Sequence, residues 1–307
     1  MTVKTILFVC YLCASLLRPA LSECHSKANL VKLEEDVFLR LGQHAIGFEA
    51  DNIANIGFII GQHCVAVIDT GGSYEEGLAL ACAIKDMTDK PVCYVINTHA
   101  HPDHILGNLA FKNDATQFIG HANLARAMAI LGPTYLQRAS QHAGKQLSTE
   151  HIVRPDIKVD TVKVIDLGQR KLTLRAHPVA HTDADLSVYD TDHNALWLGD
   201  LLFMEHVPVI HGSLNGWLHE LTNLMQIEFA YVVPGHGPAR ARWPQSGNDV
   251  MRYLTTLQKE IRTLIEHDVD IQDATDRVGV SEAQHWQLFE QYHKRNVITA
   301  YTEIEWE

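Results

Sequence analysis

Four side chains able to hold a metal, His99, His101, Asp103 and His104, crowd the six residues that follow Thr98 in Thr98-His99-Ala100-His101-Pro102-Asp103-His104. Imidazole nitrogens mixed with a carboxylate suit zinc better than soft-metal chemistry, and iron or manganese also occupies such mixed sites. The same residues could simply form a turn, with Asp103 capping a helix that opens at His104. Position separates the two readings. The window follows residues 91–96, a short continuous apolar run of the kind that forms a buried strand, so the donors stand at a strand mouth where several chain segments converge.

The elements around this window alternate strand and helix. Residues 56–68 read as a hairpin, two apolar runs across Gly61-Gln62-His63, leading into Asp69-Thr70-Gly71-Gly72 where glycines mark a tight loop. Ser73 can cap a helix reaching about Met87, with Leu78, Ala81, Cys82 and Ile84 as its apolar face. After a mixed helical stretch at 121–146, strand patterns return at 161–165, 171–177, 186–189 and 195–198, and Val232-Val233 closes the sheet region. Val250, Leu254, Leu257, Ile261 and Leu264 then fall at the spacing of an amphipathic helix, and further helical pieces run to the terminus. This order of elements indicates an α/β protein.

Of the 307 residues 46% are hydrophobic, enough for a sizeable core. With 37 acidic against 25 basic residues the net charge is −12, and no basic run is available to track a phosphate backbone, which argues against a nucleic-acid partner. Lys4, the apolar run at 6–17 and the small residues Ala20 and Ser22 have the shape of a cleavable secretory signal. The run is shorter than the roughly 20 residues that span a bilayer, so the mature chain is expected to be periplasmic or secreted, without stable membrane insertion. Cleavage before Glu23 leaves Cys24, Cys64, Cys82 and Cys93. One or two disulfides can form in an oxidising compartment, while the apolar or helical settings of these cysteines suit buried free thiols at least as well.

The HxHxDH motif and the order of elements resemble the metallo-β-lactamase superfamily. The resemblance implies an αββα sandwich over roughly residues 37–244, giving a signal peptide at 1–22, a metallo-β-lactamase-like domain at 23–246 and a C-terminal helical extension at 247–307 packed on it. It also implies three further ligands, each expected to follow a strand: His181 in Ala180-His181-Thr182, Asp200 in Trp197-Leu198-Gly199-Asp200, and His236 in Pro234-Gly235-His236-Gly237. His99, His101 and His181 would hold one zinc ion and Asp103, His104 and His236 a second, with Asp200 bridging. Two ions about 3.5–4 Å apart bring a shared water close to neutral pKa, so the implied chemistry is hydrolysis by a bridging hydroxide, which Asp103 would orient while also ligating. Asp69 either supports these ligands by hydrogen bonding or caps its loop. His206, His211 and His219 have no metal spacing and read as surface residues.

Asp200 stands where β-lactamases of the superfamily commonly carry cysteine or serine, which favours the branch of glyoxalase II-like thioesterases and lactonases. A resemblance over nearly all the mature chain is to the SoxH-related quinoprotein relay system zinc metallohydrolases. It is carried by Asn55-Ile56-Gly57-Phe58-Ile59, Val67-Ile68-Asp69-Thr70-Gly71-Gly72-Ser73, Tyr94-Val95-Ile96-Asn97-Thr98-His99, the stretch from Val207 to Trp217, Tyr292-His293-Lys294-Arg295-Asn296-Val297 and the ending Glu303-Ile304-Glu305-Trp306-Glu307. It implies an exported bacterial hydrolase functionally linked to a quinoprotein dehydrogenase, with no implication that this chain binds the quinone. The leading expectation is a binuclear zinc hydrolase of a small-molecule ester, thioester or lactone. A mononuclear iron sulfur-dioxygenase-like oxidoreductase and a non-catalytic accessory metal-binding protein are the alternatives. The aromatic and acidic C-terminal stretch is expected to be a helical cap on the domain.

Overall fold

A computed structural model describes Cys24 and residues 28–307; the signal segment read at 1–22 lies outside the described residues. A first sheet contains β1 (Leu30–Glu34), β2 (Val37–Arg40), β3 (Ile56–Ile60), β4 (Val65–Ile68), β5 (Val92–Ile96), β6 (Gln117–His121) and β7 (Ile157–Val159), side by side in chain order. A second contains β8 (Val162–Asp166), β9 (Lys171–Ala176), β10 (Leu186–Asp190), β11 (Ala195–Phe203) and β12 (Tyr231–His236), also side by side in chain order. The helices are α1 (Tyr74–Met87), α2 (Pro102–Ile105), α3 (Leu124–Ala143), α4 (Leu214–Leu224), α5 (Asn248–Glu266), α6 (Ile271–Arg277) and α7 (Phe289–Glu305).

Alternation along the strands builds the layers. In β4, Ala66 and Ile68 face the space between the sheets, while Val65 and Val67 face outward onto Leu80 and Ile84 of α1. In β11, Ala195 and Trp197 enter the inter-sheet core, while Leu196 and Leu198 join Trp217 of α4, Leu254 and Leu257 of α5 and Val297 of α7. Strands such as β4 and β11 are therefore covered on both faces, which is why they read as continuous apolar runs, while β8 and β9 leave one face exposed. The result is the expected αββα sandwich, with the C-terminal helices on the outer face of the second sheet. Ser73 caps α1 as its position suggests, its hydroxyl accepting from the Glu76 amide at 3.2 Å. The strands β3 and β4 form the antiparallel hairpin, and α1 crosses over to make β5 parallel to β4.

Four sequence expectations are amended or resolved. The stretch at 117–121 is strand β6, lying between β5 and β7 in the first sheet; five residues with a glycine inside give too little periodicity to announce it. The strand at 195–198 runs on to Phe203, so Asp200 lies within a strand and does not follow one. His236 likewise is the last residue of β12 and not a loop residue. Finally, the cysteines left open between thiols and bridges form two disulfides, Cys24–Cys82 and Cys64–Cys93, each with Cα atoms 5.8 Å apart. The second joins the start of β4 to its neighbour β5, a pairing set by the parallel register.

One buried cation ties the two sheets together. Arg170, 3% exposed, donates to Asp190 Oδ2 at 2.5 Å, to the Ile60 carbonyl at 3.3 Å and to Asp36, linking the β8–β9 and β10–β11 turns to β3 and the β1–β2 turn.

Candidate metal centre

The loop after β5 and the first turn of α2 present His99, His101, Asp103 and His104 at the mouth of the first sheet. The loop between β9 and β10 brings His181, while β11 and β12 bring Asp200 and His236 from the second. All seven residues expected to ligate therefore meet. They fall into two groups whose donor atoms lie within 4.8 Å of one another, His99, His101, His181 and Asp200 in one, Asp103, His104 and His236 in the other. The Asp200 carboxylate faces both: Oδ2 is 3.6 Å from His99 Nε2 and 3.4 Å from both His181 Nε2 and His236 Nε2, and Oδ1 is 3.3 Å from His104 Nε2. Asp103 Oδ2 lies 3.4 Å from Nε2 of both His104 and His236.

Close approach here depends on two glycines. Gly199 adopts φ +52°, and a Cβ on it would fall 2.7 Å from the Thr98 side chain, so glycine lets β11 turn beneath the histidine loop. A Cβ on Gly235 would come within 1.9 Å of Asp200 Oδ1, so only glycine lets β12 pass beside that carboxylate.

Each imidazole is aimed through its second nitrogen. His181 Nδ1 donates to the Val209 carbonyl at 2.7 Å, His236 Nδ1 to the Ile53 carbonyl at 3.1 Å and His104 Nδ1 to Asp69 Oδ2 at 2.8 Å. This leaves the lone pair on Nε2 directed into the cluster. His99 Nε2 and His181 Nε2 converge on His101 Nδ1 at 2.9 and 3.1 Å, three ring nitrogens turned to one point. Asp69 resolves in favour of support. At φ +54°, its Oδ1 accepts from the Thr98 amide at 2.8 Å and its Oδ2 from the Thr98 hydroxyl at 2.7 Å as well as from His104. Further out, buried His177 meets Glu220 of α4 at 2.8 Å and Ser187 of β10 at 2.7 Å, bracing the start of the loop that carries His181. The Asp185 carboxylate fastens the other side of the loop by accepting from the Thr182 amide at 2.8 Å.

The electrostatics of the metal-free protein divide the same way. Burial holds His99, His101 and His181 well below the ordinary histidine range, keeping them neutral as ligands must be. Burial also opposes charge on His104 and His236, but the surrounding carboxylates outweigh it. Asp103, Asp200 and Asp69 hold His104 well above its usual range, and Asp200 with Asp103 pushes His236 up to about 9. Burial would likewise raise Asp103 and Asp200, but neighbouring histidines keep both ionised. His104 Nε2 and Asp200 Oδ1 are buried with no hydrogen-bond partner, an arrangement that normally costs about 1–3 kcal/mol per group. A dication between them would satisfy both atoms and take over the compensation of the carboxylates, displacing the histidine protons. The residues thus fit a pair of divalent metals.

Two histidines read as surface residues border the cluster: His211 is exposed as expected, whereas His206 is buried. His211 turns Nδ1 to His101 Nε2, occupying the second nitrogen of that ligand, with ring centroids 4.5 Å apart. His206, only 4% exposed, stacks on His236 and Phe203, and burial pushes it down to about 3. Neither has spacing that links it to a ligand, so no local signal could have found them; His219 is on the exposed side of α4, as expected. A cavity of about 550 Å³ opens above the cluster, walled by Phe48, Leu131, Phe203 and Val209 and by Tyr292 and Arg295 of α7.

Asp69→Asn is expected to lower metal affinity about 10- to 100-fold, the usual cost of removing an orienting carboxylate. The amide would face Thr98 or His104 with a donor where each now finds an acceptor. Isothermal titration of the metal-free variant with zinc measures the loss, and an unchanged affinity would return Asp69 to the role of a loop cap.

The profile of the metallo-β-lactamase superfamily matches residues 50–236 of this chain. Among curated proteins, a linear primary-alkylsulfatase of a Pseudomonas species is 24% identical over 239 residues, covering 66% of this chain and 44% of that one, so the chain spans less than half the length of that relative. Among solved structures, a metallo-β-lactamase from Pontibacter korlensis superposes with a TM-score of 0.60 at 18% identity, covering 75% of this chain and 99% of its own. A stereoselective inverting sec-alkylsulfatase from Pseudomonas sp. gives 0.67 at 12% identity, covering 90% of this chain and 50% of that one. At these identities the superpositions speak for the fold.

Proposed function

The chain belongs to the metallo-β-lactamase superfamily, and from that premise we propose that it is a binuclear zinc hydrolase acting on a small ester, thioester or lactone. The observation that carries this reading is Asp200, whose two oxygens face the two donor groups at 3.3–3.6 Å. His99, His101 and His181 would hold one ion, Asp103, His104 and His236 the other, with Asp200 shared. Ions held there supply Lewis acidity, which makes water nucleophilic near neutral pH and polarises a substrate oxygen. The Asp103 side chain, 12% exposed against 3% for Asp200, is the more open of the two cluster carboxylates that border the cavity. It can orient the attacking water and accept its proton. Phe48, Leu131 and Val209 exclude bulk water from one side of that space and offer an apolar substrate body a surface.

The mononuclear iron reading leaves Asp103, His104 and His236 without a role, and the accessory-protein reading leaves the cavity without one. Sulfate esters join the substrate panel because two relatives are alkylsulfatases. Placement outside the cytoplasm is supported by the apolar leader and by two disulfides, which reducing compartments seldom sustain. The quinoprotein link rests on the motifs that resemble the relay-system hydrolases, and copurification with a quinone-dependent dehydrogenase tests it.

The decisive experiment pairs metal analysis with assay. The purified mature chain is expected to carry about two divalent ions, to lose ester, thioester or lactone hydrolysis on chelation and to recover it with zinc. A single ion unaffected by His236→Ala would support the mononuclear site instead, and full loading without turnover on the panel would favour the accessory role.

A further inference from the structure

Two cations on separate helices face the same cavity. Arg138 of α3 and Arg295 of α7 both line the space above His101, Asp103, Asp200 and His236. Neither forms an ion pair among the described residues, whereas the one carboxylate in that wall outside the metal cluster, Asp183, is taken by Arg126. The two guanidinium groups are close enough together for the charge of each to act on the same phenol, Tyr135, and Arg295 also acts on His211 and Tyr292. Arg138 is held over the Phe48 ring, 5.8 Å from its centroid, which limits the entropy it would lose on engaging a ligand. In a chain of net charge −12, unpaired positive charge gathered at one cavity mouth opposes the general field, and a cleft concentrates such a field.

We propose that Arg138 and Arg295 form an anion subsite, so that the substrate is an organic anion with an apolar body whose carboxylate or sulfonate-like end lies at the mouth, away from the bond cleaved at the metal centre. The proposal rests on the hydrolase reading for the identity of the cavity as the substrate pocket. Guanidinium is suited to the role because its planar fork binds two oxygens of such an anion at once. The cavity walls Leu131, Phe203 and Val209 hold the chain between the charged end and the scissile bond. The C-terminal helical extension thereby supplies specificity in addition to covering the second sheet.

The test compares mono(4-nitrophenyl) adipate and its sulfonate-ended counterpart with neutral 4-nitrophenyl hexanoate on the metal-loaded full chain. Wild type is expected to prefer an anionic ester by about 10- to 100-fold in kcat/KM, the range for a charge-assisted hydrogen bond. In Arg138→Gln/Arg295→Gln the preference should collapse through KM, while Arg295→Lys keeps part of it. Which anionic ester leads distinguishes carboxylate from sulfonate. A binding arm needs no turnover: 8-anilinonaphthalene-1-sulfonate and its neutral analogue N-phenyl-1-naphthylamine are titrated by fluorescence, and the double variant should lower the ratio of their affinities. If no ester is cleaved yet this ratio falls, the hydrolase reading fails and the anion subsite stands. Equal cleavage of anionic and neutral esters, or an unaltered ratio of probe affinities in a variant with native circular dichroism, overturns the proposal.

Discussion

Asp200→Asn is expected to cut turnover on the order of 10³-fold and to leave the protein with about one ion in place of two, because several kcal/mol of charge stabilisation depend on both metals. The substitution keeps the size of the side chain and removes its negative charge and one of its two acceptor oxygens. Oδ2 faces His99, His181 and His236, and Oδ1 faces His104, so the site cannot regain a bridging group from any neighbour already in place. The second group, left with Asp103, His104 and His236, should lose its ion first, since the first group retains three imidazoles. The loss should appear in kcat more than in KM, as befits a group that assembles the reacting centre. Zinc per chain by mass spectrometry and ester hydrolysis on this variant decide the matter. A fully loaded, normally active Asp200→Asn protein would refute the bridge and leave Asp200 a structural member of β11.

Arg170→Met is expected to destabilise the fold by about 3–5 kcal/mol, the cost of leaving a buried charge unpaired. Asp190 is fully buried, and its carboxylate is held by the Arg170 guanidinium together with His193 Nδ1 at 2.9 Å. Burial opposes charge on Arg170 as well, yet Asp190 and Asp36 outweigh it and keep its pKa above the ordinary value. Methionine fills the volume of the side chain stem but cannot answer Asp190 or the Ile60 carbonyl. Urea unfolding of the oxidised protein measures the effect. Arg170→Met/Asp190→Leu should recover part of the loss, because no uncompensated charge then remains in the core. A single variant as stable as wild type would show that the tie between the sheets contributes nothing net.

Much of the fold was legible because its signals are short-range. The α1 helix announces itself through Ser73 and the apolar spacing behind it, and the β3–β4 hairpin through two runs around Gly61. The HxHxDH window is local too, since six consecutive residues supply four donors. Less visible were the limits of β11. Gly199-Asp200 has the composition of a turn, but β11 runs through it because burial on both faces outweighs the local preference of Gly199. Strand β6 was missed for the opposite reason, its five residues being too few to show a period.

The α/β class and the four donors between His99 and His104 could be read along the chain, because propensity, periodicity and motif spacing act between near neighbours, whereas His181, Asp200 and His236 were expected only through the resemblance to a known family. Which atoms aim those residues, and what surrounds them, is set by long-range packing alone. The carbonyls of Val209 and Ile53 that orient His181 and His236 belong to any residue type and leave no mark in a sequence. His211 reaches His101 across 110 positions, and Arg295 reaches the cavity from a helix beyond both sheets. The cysteine pairs follow from Cα separations of 5.8 Å that exist only once α1 and the first sheet are packed. Such contacts arise where long-range packing brings distant segments together, and a single chain pattern carries no term for that convergence.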